Sequence, residues 1–322
     1  MKTIAITGAS GFVGQHLLVT LMHHSNYNIR VLVRKKRSPE HKMFDNDRVE
    51  VFDGDLTKRD SLIDFVQPGC TLINLAYLNS NDLNDNITAI NNLIYICKRK
   101  KIKKFIHCST AAVSGRISDD VINENTICNP LNEYEKTKFE IENTLLRCHE
   151  KAFELVILRP TAIYGPGVRN LMKLASELTG GNWFLCYLRT ILFNRRKMNL
   201  VSIENVTRAI MHLVFIEKAI DREIYYVSDD NLPNNNYRDV ESLLRKYLDV
   251  NDYSIPVIPL PQSLLSTALL ILGRSNINPA RVYSSEKLKS TGYKNRIFIE
   301  DGIALFAKWY KQEVLKRKSG KR

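Results

Sequence analysis

The chain has 322 residues, 44% of them hydrophobic and 25% charged, which is enough apolar surface for a large core or two lobes sharing one cleft and excludes a disordered chain. Its net charge of +13 is concentrated in residues 98–104 and in the last seven residues. The charge reads as solvated helix ends, with anionic substrates or acidic headgroups as the sharper reading, and no nucleic-acid-binding motif accompanies it. Six cysteines lack CxxC spacing and the histidines are scattered, which points to free thiols in a reducing, cytoplasmic compartment and away from a disulfide framework or a metal site.

The chain opens Met-Lys-Thr-Ile-Ala-Ile-Thr-Gly, which reads as a strand running into a glycine turn and not as a cleavable targeting segment. Strands are predicted at 3–7, 29–33, 49–52, 71–75, 104–108 and 155–158. They are unalternating apolar runs, as in a parallel sheet covered on both faces. Helices are predicted at 12–23, 60–66, 84–100 and 134–149. This rhythm predicts an α/β fold with a doubly wound parallel Rossmann sheet and its ligand at the C-terminal strand ends.

Residues 1–160 are expected to form that domain. After Pro160 the pattern loosens, and 161–322 are expected to form a smaller C-terminal substrate-binding lobe. Residues 200–230, with a strand at 223–227, are expected to return to the main sheet. No apolar run reaches the roughly 18 residues of a membrane span. The longest, 264–273, reads as a buried helix, with peripheral membrane contact as the upper limit.

Residues 7–14 read Thr-Gly-Ala-Ser-Gly-Phe-Val-Gly, with Gly8, Gly11 and Gly14 between the first strand and the first helix. Such a turn lets backbone approach a pyrophosphate, which the helix N-terminus then binds through free N–H groups and its dipole. Arg34 follows the second strand, 20 residues after Gly14. An acidic residue there suits the ribose of NAD, whereas an arginine suits the extra phosphate of NADP. Asp55 and Leu56 are placed to line the adenine pocket. Tyr134 and Lys138 stand at i and i+4, on one helix face. A phenol near pKa 10 needs a neighbouring ammonium and the positive nicotinamide to act at neutral pH. Ser109 and Thr110 close the fifth strand, and a hydroxyl there can bond the same substrate oxygen.

In this order, these elements resemble the extended short-chain dehydrogenase/reductase family, in its NAD-dependent epimerase/dehydratase branch, over nearly the whole chain. Asn86 resembles the family's structural asparagine. Residues 200–206, 225–228, 288–293 and 309–310 resemble its later segments. The resemblance implies Thr110, Tyr134 and Lys138 as catalytic residues. It implies cofactor contacts from Gly8, Ser10, Gly11, Phe12, Val13, Gly14, Arg34, Asp55, Leu56, Ala76, Ser109, Lys138, Pro160 and Ile163. It also implies a nucleotide-diphosphate sugar substrate, with Arg195, Arg196 and Arg281 as candidates for the diphosphate and Thr110 and Tyr134 for the sugar.

The chain departs from the family at Asn74, where histidine is frequent, and at Ser114, where tyrosine is. Ala111-Ala112 stand where sugar dehydratases carry Asp-Glu, so water elimination is disfavoured. A keto-sugar reductase using NADP is expected from Arg34, with an epimerase holding NAD as the alternative. A steroid- or flavonoid-type ketone reductase and a non-catalytic NADP-binding sensor are further alternatives. A homodimer through helices 84–100 and 134–149 is expected by the same resemblance.

Overall fold

The computed structural model describes residues 2–23, 27–34, 44–78, 83–148, 152–168 and 170–315. The basic residues 35–37, the end of the helix predicted at 134–149, and the basic terminus 316–322 lie outside the described residues.

In chain order the elements are β1 (Lys2–Thr7), α1 (Phe12–His23), β2 (Tyr27–Val33), β3 (Val49–Asp53), β4 (Thr71–Asn74), α2 (Leu83–Lys100), β5 (Lys104–Cys108), β6 (Val121–Ile122), α3 (Glu133–Leu146), β7 (Glu154–Pro160) and β8 (Ala162–Tyr164). There follow α4 (Met172–Gly180), α5 (Trp183–Phe193), β9 (Leu200–Ser202), α6 (Ile203–Phe215), β10 (Glu223–Val227), α7 (Tyr237–Leu248), α8 (Gln262–Ile271), β11 (Val282–Tyr283), α9 (Glu286–Lys289) and α10 (Ile299–Tyr310).

Seven strands form one sheet in the order β10-β7-β5-β4-β1-β2-β3. The pairs from β7 across to β3 all run parallel. The order reverses between β1 and β4, the switch point where such sheets bind ligands. Ile4, Ala5, Ile6, Phe105, Ile106, Val156 and Ile157 are buried at consecutive positions, the physical reason that these strands read as unbroken apolar runs. β10 joins the sheet beside β7, as expected of 223–227.

The chain divides into two compact units. The first comprises Met1–Val113, Asn132–Arg159 and Thr207–Tyr225, and the second comprises Ser114–Leu131, Pro160–Val206 and Tyr226–Arg322. In the first, α2 turns Ile90, Leu93, Ile96 and Cys97 into a core shared with Leu72, Phe105, Ile141 and Leu145, a helical period of burial. Its last turn carries Lys98, Arg99 and Lys100, which complement the helix dipole. α3 starts at Asn132, whose side chain accepts from Glu135 N at 2.9 Å and so satisfies an orphan donor of the first turn. In the second unit α4, α7 and α10 pack around Leu174, Val240, Leu244, Ile303 and Phe306.

Three sequence expectations are corrected. The helix expected at 60–66 is a short 3-10 turn, Arg59–Leu62, because the Ser61 hydroxyl bonds backbone at Asp55 and Lys58 and competes with helical pairing. Lys104, read as part of a solvated basic run, is buried, donating to Leu213 O at 2.9 Å and facing Glu154 at 3.3 Å. Of residues 264–273, those up to Ile271 belong to α8; Leu265 and Leu269 are buried, but Leu264, Leu270, Ile271 and, just past the helix, Leu272 are exposed.

Candidate active site

Within the first unit, Gly8, Gly11 and Gly14 are glycine for separate reasons. Gly8 has φ +73°, and a Cβ there would stand 2.7 Å from Ala76 N; the turn after β1 is pressed against the residues that follow β4. A Cβ on Gly14 would stand 2.6 Å from Ala9 Cα, so this glycine lets α1 pack on the turn. On Gly11 the nearest atom would be Gly8 O at 3.2 Å, with nothing else within 4 Å. The protein leaves that side open, which is what a phosphate group approaching the N-terminus of α1 requires. Gly11 N donates to Gly8 O at 3.0 Å and Gln15 Nε2 to Ser10 O at 2.8 Å. Ser10 is exposed, while Phe12 and Val13 are half-buried.

Arg34 stands exposed just past β2, near enough to Asp55 for its charge to lower that carboxyl's pKa. The largest cause of that lowering is the backbone N–H of Thr57, which donates to Asp55 Oδ1 at 2.9 Å. Leu56 is buried, and its carbonyl accepts from Asn92 Nδ2 at 2.9 Å. Asn86 clamps the loop after β4. Its Oδ1 accepts from Leu78 N at 3.0 Å and its Nδ2 donates to Leu78 O at 2.9 Å, which fixes the strip running back to Ala76.

At the end of β5, Ser109 N donates to Leu158 O at 2.8 Å, and the buried Ser109 hydroxyl has no hydrogen-bond partner among the described residues. Thr110 Oγ1 accepts from Ala112 N at 3.2 Å and lies within hydrogen-bonding reach of the Tyr134 phenol. Tyr134 is 44% exposed. Burial raises its pKa above 10, and the Thr110 contact opposes the rise. The ring of Tyr77 meets Tyr134 edge-on at 5.3 Å.

Lys138, one turn on and buried, places Nζ 3.5 Å from Cys108 O and 4.8 Å from the centre of the Tyr77 ring. Burial lowers its pKa, while Cys108 and Glu142 oppose the fall. Glu142, a further turn along, is held by Arg159 in a buried pair at 2.6 Å. Behind these lies Thr7 Oγ1, donating to Asn74 Oδ1 at 2.5 Å, with Asn74 Nδ2 3.1 Å from His107 Nδ1. His107 is buried beside Lys138, and both causes push its pKa well below 6.5. His107 and Tyr77 were not singled out from the sequence. Tyr77, next to Ala76 at the switch point, had a positional signal; His107 had none.

The first unit thus carries an open glycine turn, a free helix N-terminus, an orphaned Ser109 hydroxyl and a cationic residue past β2. These fit a dinucleotide. The second unit holds the remaining candidates. Pro160 is buried and Ile163 half-buried, its carbonyl accepting from Asn170 Nδ2 at 2.6 Å. Arg196 is half-buried above the Phe193 ring at 5.4 Å. Burial lowers its pKa, as does the charge of Arg274, and neither arginine forms an ion pair among the described residues. Arg195 is paired with Asp239 at 2.9 Å. Arg281 is fully buried, donating to Gly115 O at 3.1 Å and to Ile117 O. Its guanidinium holds chain segments together inside the unit, and Arg274 stands near Arg196.

A family model described as "NAD dependent epimerase/dehydratase family" matches residues 4–214. The sterol-4-alpha-carboxylate 3-dehydrogenase, decarboxylating, of Candida albicans is 22% identical over 98% of this chain and 99% of its own. An Escherichia coli O157:H7 protein, N-acetyl-alpha-D-glucosaminyl-diphospho-ditrans,octacis-undecaprenol 4-epimerase, is 27% identical over 56% of this chain and 55% of its own. The crystal structure of UDP-glucuronic acid 4-epimerase from Bacillus cereus in complex with UDP-glucuronic acid and NAD superposes with a TM-score of 0.71 at 21% identity, covering 97% of this chain and 99% of that one.

Proposed function

The chain belongs to the NAD-dependent epimerase/dehydratase family, and from that premise we propose that it moves a hydride between a dinucleotide and a ring carbon of a sugar carried on a diphosphate. The observation that carries this reading is the convergence of Thr110, Tyr134 and Lys138 at the end of β5, in the unit that also holds the glycine turn.

A bound nicotinamide supplies the hydride or accepts it. The rest is the work of this chain. The Tyr134 phenol, its pKa raised by burial, keeps its proton at neutral pH and is a ready donor to a carbonyl oxygen. Thr110, its oxygen already oriented by Ala112 N, offers a hydroxyl to the same substrate atom. Lys138 keeps positive charge near β5 and stabilises the phenolate left after donation. Ala111 and Ala112 follow Thr110 without an acid-base pair, so no residue there can take a carbon-bound proton for elimination.

A phenol that holds its proton suits ketone reduction, and Arg34 suits the 2′-phosphate of NADP, so the first reading is an NADP-dependent keto-sugar reductase. The second is a 4-epimerase retaining NAD, which the E. coli relative and the B. cereus neighbour favour by name. Arg196 and Arg274 are the candidates for the substrate diphosphate.

The test is the dinucleotide released on denaturing the freshly purified protein, followed by assay of sugar nucleotides with both cofactors. Stoichiometric NAD and interconversion without net cofactor use would replace the reductase by the epimerase. Failure to bind either dinucleotide would end both readings.

A further inference from the structure

Tyr77 stands outside the proposed chemistry, yet it touches two of the residues that carry it. Its ring centre lies 4.8 Å from Lys138 Nζ. The centre of the Tyr134 ring is 5.3 Å away, with the two ring planes at 80°. All three residues belong to the first unit. The lysine contact falls inside the roughly 6 Å over which an aromatic face attracts a cation. The tyrosine contact is the edge-to-face arrangement that ring quadrupoles favour.

Lys138 needs such a neighbour. An ammonium has three donors, and among the described residues Lys138 makes a single hydrogen bond, to Cys108 O at 3.5 Å. That is longer than the roughly 2.7–3.2 Å of an ordinary bond. The side chain is buried, and burial opposes its charged form. The groups around it offer little negative charge. Glu142, on the same helix, is engaged by Arg159 of β7 at 2.6 Å. On β5, the Cys108 thiol is pushed up to about 11 by burial, so it is uncharged at neutral pH. His107, held well below 6.5, is neutral there too. α2 adjoins α3 in a core of apolar side chains. The negative face of the Tyr77 ring is what remains to offset the cost of burying the ammonium.

The ring is also held. Before it, Leu75 N donates to Thr7 O at 3.1 Å, and after it Asn86 grips both N and O of Leu78. Tyr77 therefore stands on a strip fixed at both ends, whereas the Tyr134 side chain is exposed and gains a wall from it. We propose that Tyr77 is a positioning residue, whose ring face holds Lys138 as the ammonium and whose contact with Tyr134 fixes the phenol beside Thr110. Its effect on turnover rests on the proposed function; its effect on Lys138 does not.

The experiment is an NMR titration of the full chain without ligand, its lysines isotope-labelled at the ε carbon, from about pH 6 to about pH 11. The Lys138 signal is identified by its loss in Lys138→Arg. A π face favours the charged form and so raises the titration midpoint. Tyr77→Leu removes the face, and the midpoint should fall by about one pH unit or more. Tyr77→Phe keeps the face and should titrate as the wild type does. Tyr77→Met, a longer apolar chain, repeats the test if the leucine variant fails to fold. In turnover, Tyr77→Leu should lower kcat about tenfold or more with KM little changed, because the phenol loses its wall. Its alkaline limb should move to lower pH with the Lys138 midpoint, and Tyr77→Phe should restore both. A Lys138 midpoint unmoved in a folded leucine or methionine variant overturns the proposal, whatever reaction the protein catalyses. So does a phenylalanine variant as perturbed as the leucine one, which would put the effect in the hydroxyl and not in the ring face. Failure of the proposed function is distinct: the wild type would turn over no sugar nucleotide while the Lys138 midpoint still fell in Tyr77→Leu.

Discussion

At the scale of single residues, the glycine turn separates two kinds of necessity. Gly8 serves the fold: its φ of +73° and the 2.7 Å approach of a would-be Cβ to Ala76 N leave no room for a side chain. Gly8→Ala is expected to destabilise the first unit by about 1–2 kcal/mol from the backbone conformation alone, with the steric contact adding to it, and thermal melting would register the loss. Gly11 meets no such steric demand from the protein, and its proposed role is to leave space for the ligand. Its Cβ direction is open apart from Gly8 O at 3.2 Å, so Gly11→Val should fold yet fail to bind dinucleotide. Calorimetry returning wild-type affinity in the folded variant would remove the turn from the binding site. Tyr134→Phe separates chemistry from binding in the same way. Only the phenol is lost, so turnover should fall about 100-fold or more while cofactor affinity stays near wild type. A variant keeping a tenth of the wild-type rate would discharge Tyr134 from proton transfer.

At the scale of elements, β2 ends at Val33, and the exposed Arg34 is the first residue past it. A guanidinium there can fork onto a phosphate, and a charge-assisted hydrogen bond of about 1.5–3 kcal/mol corresponds to roughly 10- to 150-fold in affinity. NADP(H) should be preferred over NAD(H) by that order, and Arg34→Asp should reverse the preference; titration of the wild type with both dinucleotides decides, and tighter binding of NAD would leave Arg34 a surface residue. Much of this element order was legible beforehand, because strands buried on both faces must be unbroken apolar runs and a glycine turn after the first of them has few alternatives. The failures have local physical causes. Ser61 diverts backbone donors and acceptors, so 60–66 does not become a full helix. Residues 264–273 have the composition of a buried helix but only two positions turned inward. The backbone partners of Arg281 and the nearness of Arg274 to Arg196 were not legible, because the second unit brings them together from distant segments with no periodic pattern. His107 gained its place beside Lys138 from strand register, which pairs Asn74 with His107 across β4 and β5, and Tyr77 gained its own from the segment that follows β4.

At the scale of the whole molecule, the two units carry buried titratable groups of opposite sense. In the first, burial and the charge of Lys138 hold the His107 pKa well below 6.5. The unfolded chain takes up that proton first, so acidification below about pH 6.5 costs the first unit up to about 1.4 kcal/mol per pH unit. In the second, Asp229 and Asp230 are raised from 3.8 to about 6, burial being the largest cause for each. The opposing hydrogen bonds come from Ser202 N and Asn205 Nδ2 on Asp229, and from Tyr283 N and Asn199 Nδ2 on Asp230. Here the folded state takes up protons first. Stability is therefore gained as pH falls through 6 and is complete below about 3.8. Between pH 7 and pH 5 the gain is about 1 kcal/mol per carboxyl, shared between the adjacent pair. Hydrogen exchange followed by mass spectrometry should therefore show opening energies moving in opposite directions on going from pH 7 to pH 5, after correction for intrinsic exchange rates. Peptides covering β5 should become less protected and peptides covering β9 more so. In Asp229→Asn the gain at β9 should shrink by about half while the loss at β5 is unchanged. Parallel movement of both sets of peptides would mean that neither His107 nor the aspartate pair governs the acid response of its own unit.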